Sequence, residues 1–341
     1  QIQIAFISNK LAGNLINQNH LSSLLAQLLE INIPIVRVES ACASGGVAVA
    51  QACLAISSGQ YETVLVVGAE KMTDLAVNKV SEALMSAASQ EEQEAVLSFV
   101  GLYALMAKKY LDKFDAQEKD LALPAIKNHF HASFNDKAQF PFAISLDQIL
   151  KSSIIASPLR LLECSPISDG AAALILTKSK DKKKKKKHNV YITASSQTSE
   201  SLSLTHRKNL TEIKSTKLAA KQAYQQAGIG PKDLSLLEIH DCFSISEIIA
   251  LEDLGLCSKG EGYLLERRRE VKLGGKRPVN LSGGLKASGH PVGATGVKQV
   301  VEIVNQLRER AGKRQVKYPL VGLTHNIGGT GGTAVVHILQ R

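Results

Sequence analysis

Two thiols and two imidazoles in this 341-residue chain sit where side chains can react. Cys42 lies in "ESACASGG", where Ser44, Gly45 and Gly46 leave it uncrowded and let backbone N–H groups approach a ligand. Apolar residues at helical spacing over 47–56 put it at or near the first turn of a helix, whose N-terminus favours the nucleophilic thiolate. A free cysteine is otherwise a small buried hydrophobe, and Cys53, inside that helix, reads as one. His290, in "SGHPVGATG", stands on a loop between Gly289 and Pro291. A rigid corner at the mouth of a helix can hold an imidazole in one orientation, as a base that activates a thiol requires. His240 and Cys242, in "EIHDCFS", follow an apolar run, and the C-terminal end of a strand is where open α/β sheets bind ligands. Alternation along an extended segment would turn both to one face, although the spacing alone slightly favours a buried histidine beside a core cysteine. The stretch "HNIGGTGG" at 325–332 offers glycine N–H groups suited to an oxyanion, and no lysine follows as in a phosphate-binding loop.

The elements that must position these groups alternate. A β-branched strand at 35–38, a small-residue turn, a helix at 47–56 closed by Gly59 and an apolar strand at 63–67 make a βαβ unit. Residues 75–163 change character, with amphipathic helices at 100–110 and 117–130, and read as an excursion inserted between strands. A strand at 171–177 brings the chain back and runs into a lysine block. The second half repeats the pattern: a strand at 190–194, a helix at 215–227 ending on Gly228, a strand at 234–239 that delivers His240, and a helix at 244–254. A glycine-rich loop then leads into a helix at 295–310, and two strands meet at the last glycine-rich corner. The expected division is 1–181 and 188–341, each half α/β.

Composition narrows the function classes. The formal charge is +10, but residues 178–187 carry +7 of it, leaving +3 for the rest. A like-charge block is usually a solvated loop, and with no aromatic residues among the lysines and no binding motif, a nucleic-acid role is set aside. No apolar stretch approaches the ~18 residues a membrane span needs. Five cysteines, an odd number without C-x-x-C spacing, point to free thiols in a reducing compartment and to no zinc site. With no leader ahead of Gln1 and no Ser-Lys-Leu ending, the cytoplasm is the expected location.

Four motifs in order, "CAS" at 42–44, "HDCF" at 240–243, "GHP" at 289–291 and "HNIG" at 325–328, resemble the active-site set of the thiolase superfamily. The likeness is to sterol-carrier-protein-2-type thiolases and to bacterial and archaeal acetyl-CoA acetyltransferases, and it extends to "GLYALMAKKY" and "PLRLLECSPISDGAAA". It implies the thiolase fold: two similar mixed-sheet halves in five αβαβα layers, with a helical loop domain (75–163) inserted in the first. It implies that Cys42 accepts an acyl group from acyl-CoA as a thioester while His290 takes its proton, and that Cys242 is the second acid/base. It gives His240 the enolate oxygen, the N–H groups of Cys42 and Gly328 the thioester oxyanion, and Ser165 and Asn326 contacts to substrate. The implied partners are acyl-CoA and CoA, as substrates with no further cofactor or metal, in a homodimer or homotetramer. Family members normally begin some tens of residues earlier, so an incomplete N-terminus is expected. A decarboxylating ketoacyl synthase and a non-catalytic thiolase-like subunit that binds CoA esters or scaffolds a partner are the competing readings; Cys242 speaks against the first and the intact motif set against the second.

Overall fold

The computed structural model describes residues 1–95, 97–179 and 189–341; the lysine block at 182–187 and the expected half boundaries at 181 and 188 lie outside them. Ten strands are described: β1 Ile4–Ser8, β2 Ile35–Val38, β3 Thr63–Glu70, β4 Ile154–Ala156, β5 Leu159–Arg160, β6 Gly170–Thr177, β7 Tyr191–Ser199, β8 Leu236–Glu238, β9 Val321–Gly328 and β10 Thr333–Gln340. The first-half helices are α1 Ala12–Leu15, α2 Leu21–Leu29, α3 Ser44–Ser57, α4 Val77–Met85, α5 Gln90–Glu94, α6 Phe99–Lys113, α7 Glu118–Ala132 and α8 Leu146–Lys151. The second half adds α9 Lys214–Ala227, α10 Ser244–Asp253, α11 Gly262–Arg267, α12 Gly284–Ser288 and α13 Thr295–Leu307.

Two four-stranded sheets carry the molecule, in orders β2-β1-β3-β6 and β7-β10-β9-β8. Both are mixed. In the first, β1 runs parallel to β2 and β3 while β6 returns antiparallel to β3; in the second, β10 is antiparallel to β7 and β9, and β8 is parallel to β9. Helices α3 and α13 pack on each other and on strands of both sheets, which makes them the middle layer. Helix α2 covers the outside of the first sheet at β2, and α9 covers β7 and β10 of the second, giving five layers in all.

The strand sequences explain this burial. β10 alternates strictly: Val335 and Leu339 point into the core between the sheets with Val47, Val64, Val297 and Ile303, while Ala334, Val336 and Ile338 join the core under α9 and α10. A strand buried on both faces reads as a continuous apolar run, as β3 and β10 do. α3 likewise buries both flanks of its first half, from Ser44 to Ala50, as a helix sandwiched between two sheets must.

The 35–38 strand, the helices of the insertion and the final strand pair lie where the spacing placed them, to within a few residues. Two differences matter. β1 passes between β2 and β3, so the strands flanking α3 are not neighbours. Its five residues, all buried, carry no alternation to read. The run at 234–239 makes only a three-residue strand, because the Ile239 N–H leaves the ladder for the side-chain carbonyl of Asn280 at 2.8 Å. The insertion is also not purely helical: β4 and β5 form a hairpin inside it.

Candidate active site

Four loops converge between the halves, three of them at strand ends and the one bearing His290 between α12 and α13. Cys42 stands on the turn between β2 and α3. Ala41 before it has φ of 51°, a left-handed conformation costing about 1–2 kcal/mol for a residue with a Cβ. The turn is held by Ser44, whose hydroxyl donates to the Ala41 carbonyl at 2.6 Å and accepts from the Ser40 N–H at 2.8 Å. Close approach explains the glycines here. A Cβ on Gly328 would lie 2.6 Å from the Ser40 carbonyl, and one on Gly296 would lie 2.1 Å from the Gly46 nitrogen. The N-termini of α3 and α13 therefore meet backbone to backbone.

The sulfur of Cys42 and one ring nitrogen from each of His240 and His290 lie within 4.8 Å of one another. The two rings are edge to face, with centroids 5.0 Å apart. Hydrogen bonds behind each ring fix its tautomer. The Thr295 hydroxyl donates to the Pro291 carbonyl at 3.0 Å, so toward His290 Nδ1, 2.7 Å away, it presents a lone pair. Nδ1 therefore carries the proton, and Nε2 is left as a base. Asn326 does the opposite for His240. Its Oδ1 accepts the Gly46 N–H at 3.0 Å, which fixes the amide orientation; its Nδ2 then donates to the Cys42 carbonyl at 2.9 Å and to His240 Nδ1 at 3.0 Å. His240 thus accepts at Nδ1 and carries its proton on Nε2, as a donor. Both Nε2 atoms are buried and have no hydrogen-bond partner among the described residues. Two imidazoles of opposite sense face one sulfur.

Burial sets the charge states. It drives His290 down to about 3, helped by the Lys298 ammonium, and His240 well below the ordinary histidine range, helped by His290. Both rings are neutral at physiological pH. Burial pushes the Cys42 thiol up, opposed by the Lys10 ammonium and by the backbone N–H of Gly329. Cys242 is pushed up to about 12, chiefly by burial, while the hydroxyls of Tyr103 and Ser246 act to bring it down. Charge on Cys42 also acts to raise it, so the two thiols are near enough to feel one another.

Of the residues singled out from sequence, Cys42, His240, Cys242 and His290 come together. Asn326 joins them, but its amide is spent on Gly46, Cys42 and His240 rather than turned to a substrate. The backbone N–H of Gly329, one residue beyond Gly328, acts to bring the Cys42 thiol down. The Ser165 N–H donates to the Cys242 carbonyl at 2.8 Å, and its side chain is half-buried. Other contributors were not visible in the sequence. Ser168 accepts the His290 N–H at 2.8 Å; Lys298 donates to the Gly289 carbonyl at 2.7 Å; Glu70 accepts from Gly293 at 3.0 Å and Ser8 donates to its carbonyl at 2.6 Å. The loop bearing His290 is clamped to the first half. Thr295 offered one signal, standing at the first helical position five residues after His290.

Beneath "HDCF" lies a buried ionic network. Lys286 Nζ sits 2.8 Å from Asp241 and 3.5 Å from Glu247, and Lys127 Nζ 2.6 Å from Glu247, with neither lysine appreciably exposed. Asn128 bridges Asp241 and Glu247. It anchors Asp241, between the two site residues, to α7 and α12.

Residues 2–180 match the family described as "Thiolase, N-terminal domain", and residues 196–341 match "Thiolase C-terminal domain-like". The chain belongs to the thiolase family. Among its relatives, an acetyl-CoA acetyltransferase of Methanothermobacter thermautotrophicus is 46% identical, over 98% of this chain and 88% of the relative. Sterol carrier protein 2 of Homo sapiens is 35% identical, over 90% of this chain and 58% of that protein. Among solved structures, the Ltp2-ChsH2(DUF35) aldolase superposes with a TM-score of 0.81 at 22% identity, over 98% of this chain and 86% of that one, a likeness of fold. The five layers, the inserted loop domain and the acyltransferase class expected from the four motifs hold.

Proposed function

We propose that this thiolase forms and cleaves 3-ketoacyl-CoA through a Cys42 thioester. The observation that carries the reading is the pair of oppositely set imidazoles at one sulfur, with a second thiol near enough to interact with it. His290 Nε2 takes the Cys42 proton, and the sulfur attacks the carbonyl carbon of acyl-CoA; the tetrahedral oxyanion collapses, and His290 returns the proton to the departing CoA sulfur. In the second half, Cys242 gives its thiol proton to solvent, which later returns one to the expelled Cys42 sulfur, and as a thiolate it removes a proton from the α-carbon of acetyl-CoA. The His240 Nε2–H holds the enolate oxygen, and the carbanion attacks the Cys42 thioester, expelling the Cys42 sulfur as the carbon–carbon bond forms. Cleavage runs the same steps backwards. One cysteine cannot be a thioester and a proton acceptor in the same step, which is why two are needed. The N–H groups of Cys42 and Gly328 are assigned to the thioester oxyanion, with Gly329 beside them, and Ser165 to the CoA side.

The same reading takes the protein as a cytoplasmic homodimer or homotetramer with halves at 1–181 and 188–341, in which CoA is a substrate and no other cofactor acts. Five free thiols fit a reducing compartment, and no helix among the described residues is long and apolar enough to cross a membrane. The edge of β6 has no partner strand among the described residues and exposes Ile175, a surface that a second copy would cover.

Replacing Cys42 with alanine should abolish acetoacetyl-CoA thiolysis and covalent labelling by acyl-CoA. Undiminished turnover in that variant would overturn the assignment. Binding of CoA esters by the parent protein without turnover would instead favour a non-catalytic subunit, and turnover of a malonyl thioester in place of acetyl-CoA a decarboxylating enzyme.

A further inference from the structure

Tyr103 is contributed by α6 of the inserted segment, far in sequence from every motif of the site. It is 1% exposed, and its ring packs on Phe243, centroids 4.7 Å apart, directly after Cys242. Its hydroxyl donates to the Gly329 carbonyl at 3.0 Å. The same hydroxyl lies in hydrogen-bonding relation to the Cys242 thiol, and the N–H of Gly329 is directed at Cys42. One buried oxygen thus bonds the loop beside the acylated cysteine, while its ring, packed on Phe243, holds it next to the group that manages the α-proton.

We propose that Tyr103 is the positioning residue of the second half-reaction, a hydroxyl rotor that donates to the Gly329 carbonyl while Cys242 is a thiol and to the Cys242 sulfur while it is a thiolate. No covalent bond changes: the O–H stays intact and only its acceptor alternates. With the thiol neutral, the tyrosine oxygen offers a lone pair to the S–H and aligns it. When Cys242 gives its proton to the carbanion in cleavage, or awaits one in condensation, the rotor turns and supplies a charge-assisted bond in a cavity that lacks water's screening. Burial keeps the phenol itself far above its ordinary range, so it orients a charge without surrendering its proton. A phenylalanine of equal shape would serve the packing; only the hydroxyl serves the sulfur.

The inference rests on Cys242 being the second acid/base, and the experiment separates the two ideas. The readouts are Cys42 acylation, followed as CoA release from acetyl-CoA, and α-proton exchange of acetyl-CoA in deuterated buffer, followed by proton NMR. Losing a hydrogen bond to a charged group shifts a titration by about one to two pH units. The scarcer thiolate is also a stronger base, so a net three- to tenfold fall is expected in exchange. Tyr103→Phe should therefore lower exchange about three- to tenfold more than it lowers acylation. Replacing Tyr103 with 3,5-difluorotyrosine, a stronger donor of nearly the same size, should shift the exchange profile toward lower pH. Equal losses in both half-reactions, or exchange unchanged in Tyr103→Phe and in the fluorinated protein, would overturn the proposal. Exchange persisting in Cys242→Ala would remove the reading beneath it, whatever Tyr103 does.

Discussion

Thr295 gives the sharpest test of how the site is built, because its hydroxyl is buried, with its bonds running to His290 and Pro291, and so acts through the ring. It accepts the Nδ1–H at 2.7 Å and donates to the Pro291 carbonyl at 3.0 Å. Thr295→Val keeps the shape and removes both bonds. A buried N–H left without an acceptor costs about 1–3 kcal/mol. The ring escapes that cost by moving its proton to Nε2, which then faces Cys42 as a donor and can no longer take the thiol proton. The base-competent tautomer is penalised by the same amount, and at 1.36 kcal/mol per tenfold this is a loss of roughly 5- to 150-fold in Cys42 acylation. Rapid-quench measurement of CoA release from acetyl-CoA reads the step directly. Thr295→Ser retains the hydroxyl and should recover most of the rate. Acylation within twofold of the parent in Thr295→Val, or equal damage in both variants, would refute the tautomer argument. Circular dichroism is the appropriate control for folding, since the chain has no tryptophan.

Other expectations follow from the same geometry. Nitrogen-15 NMR should find His290 protonated at Nδ1 and His240 at Nε2, and Asn326→Leu should remove the bias at His240 while costing about 1–3 kcal/mol for each orphaned partner among the Gly46 N–H and Cys42 carbonyl, read by urea unfolding. Because burial raises Cys42 and lowers His290 to about 3, the resting pair is a neutral thiol and a neutral imidazole. Iodoacetamide labelling of Cys42 should then climb about tenfold per pH unit, since only the thiolate reacts, with no plateau below about pH 9; a plateau near neutrality would mean a resting ion pair. Lys286→Met leaves Asp241 without its cation, and breaking a buried pair by one partner costs about 3–5 kcal/mol, so unfolding should move to markedly lower urea.

The reacting atoms were legible because each sits at a place where local sequence shows constraint: Cys42 before two glycines, His290 between a glycine and a proline, His240 and Cys242 after an apolar run. What sets their chemistry was not. Asn326 is 86 residues from His240 and 284 from Cys42, and Tyr103 is 226 from Gly329. No periodicity within one segment encodes a bond between two. The long elements were readable for the same local reason, since α6, α7 and α9 each span at least fourteen residues. β1 was not, because five wholly buried residues look alike in a strand and in a core helix, and α11 and α12 are too short for a helical period to establish itself.

The clamp that Glu70 and Ser8 place on Gly293 makes the proton acceptor of one half a tenant of the other. Turnover therefore reports whether the two sheets are seated together. On gentle denaturation, loosening of that seam should silence the enzyme while each sheet still keeps its own hydrogen bonds, so lost activity would be the earliest sign of unfolding.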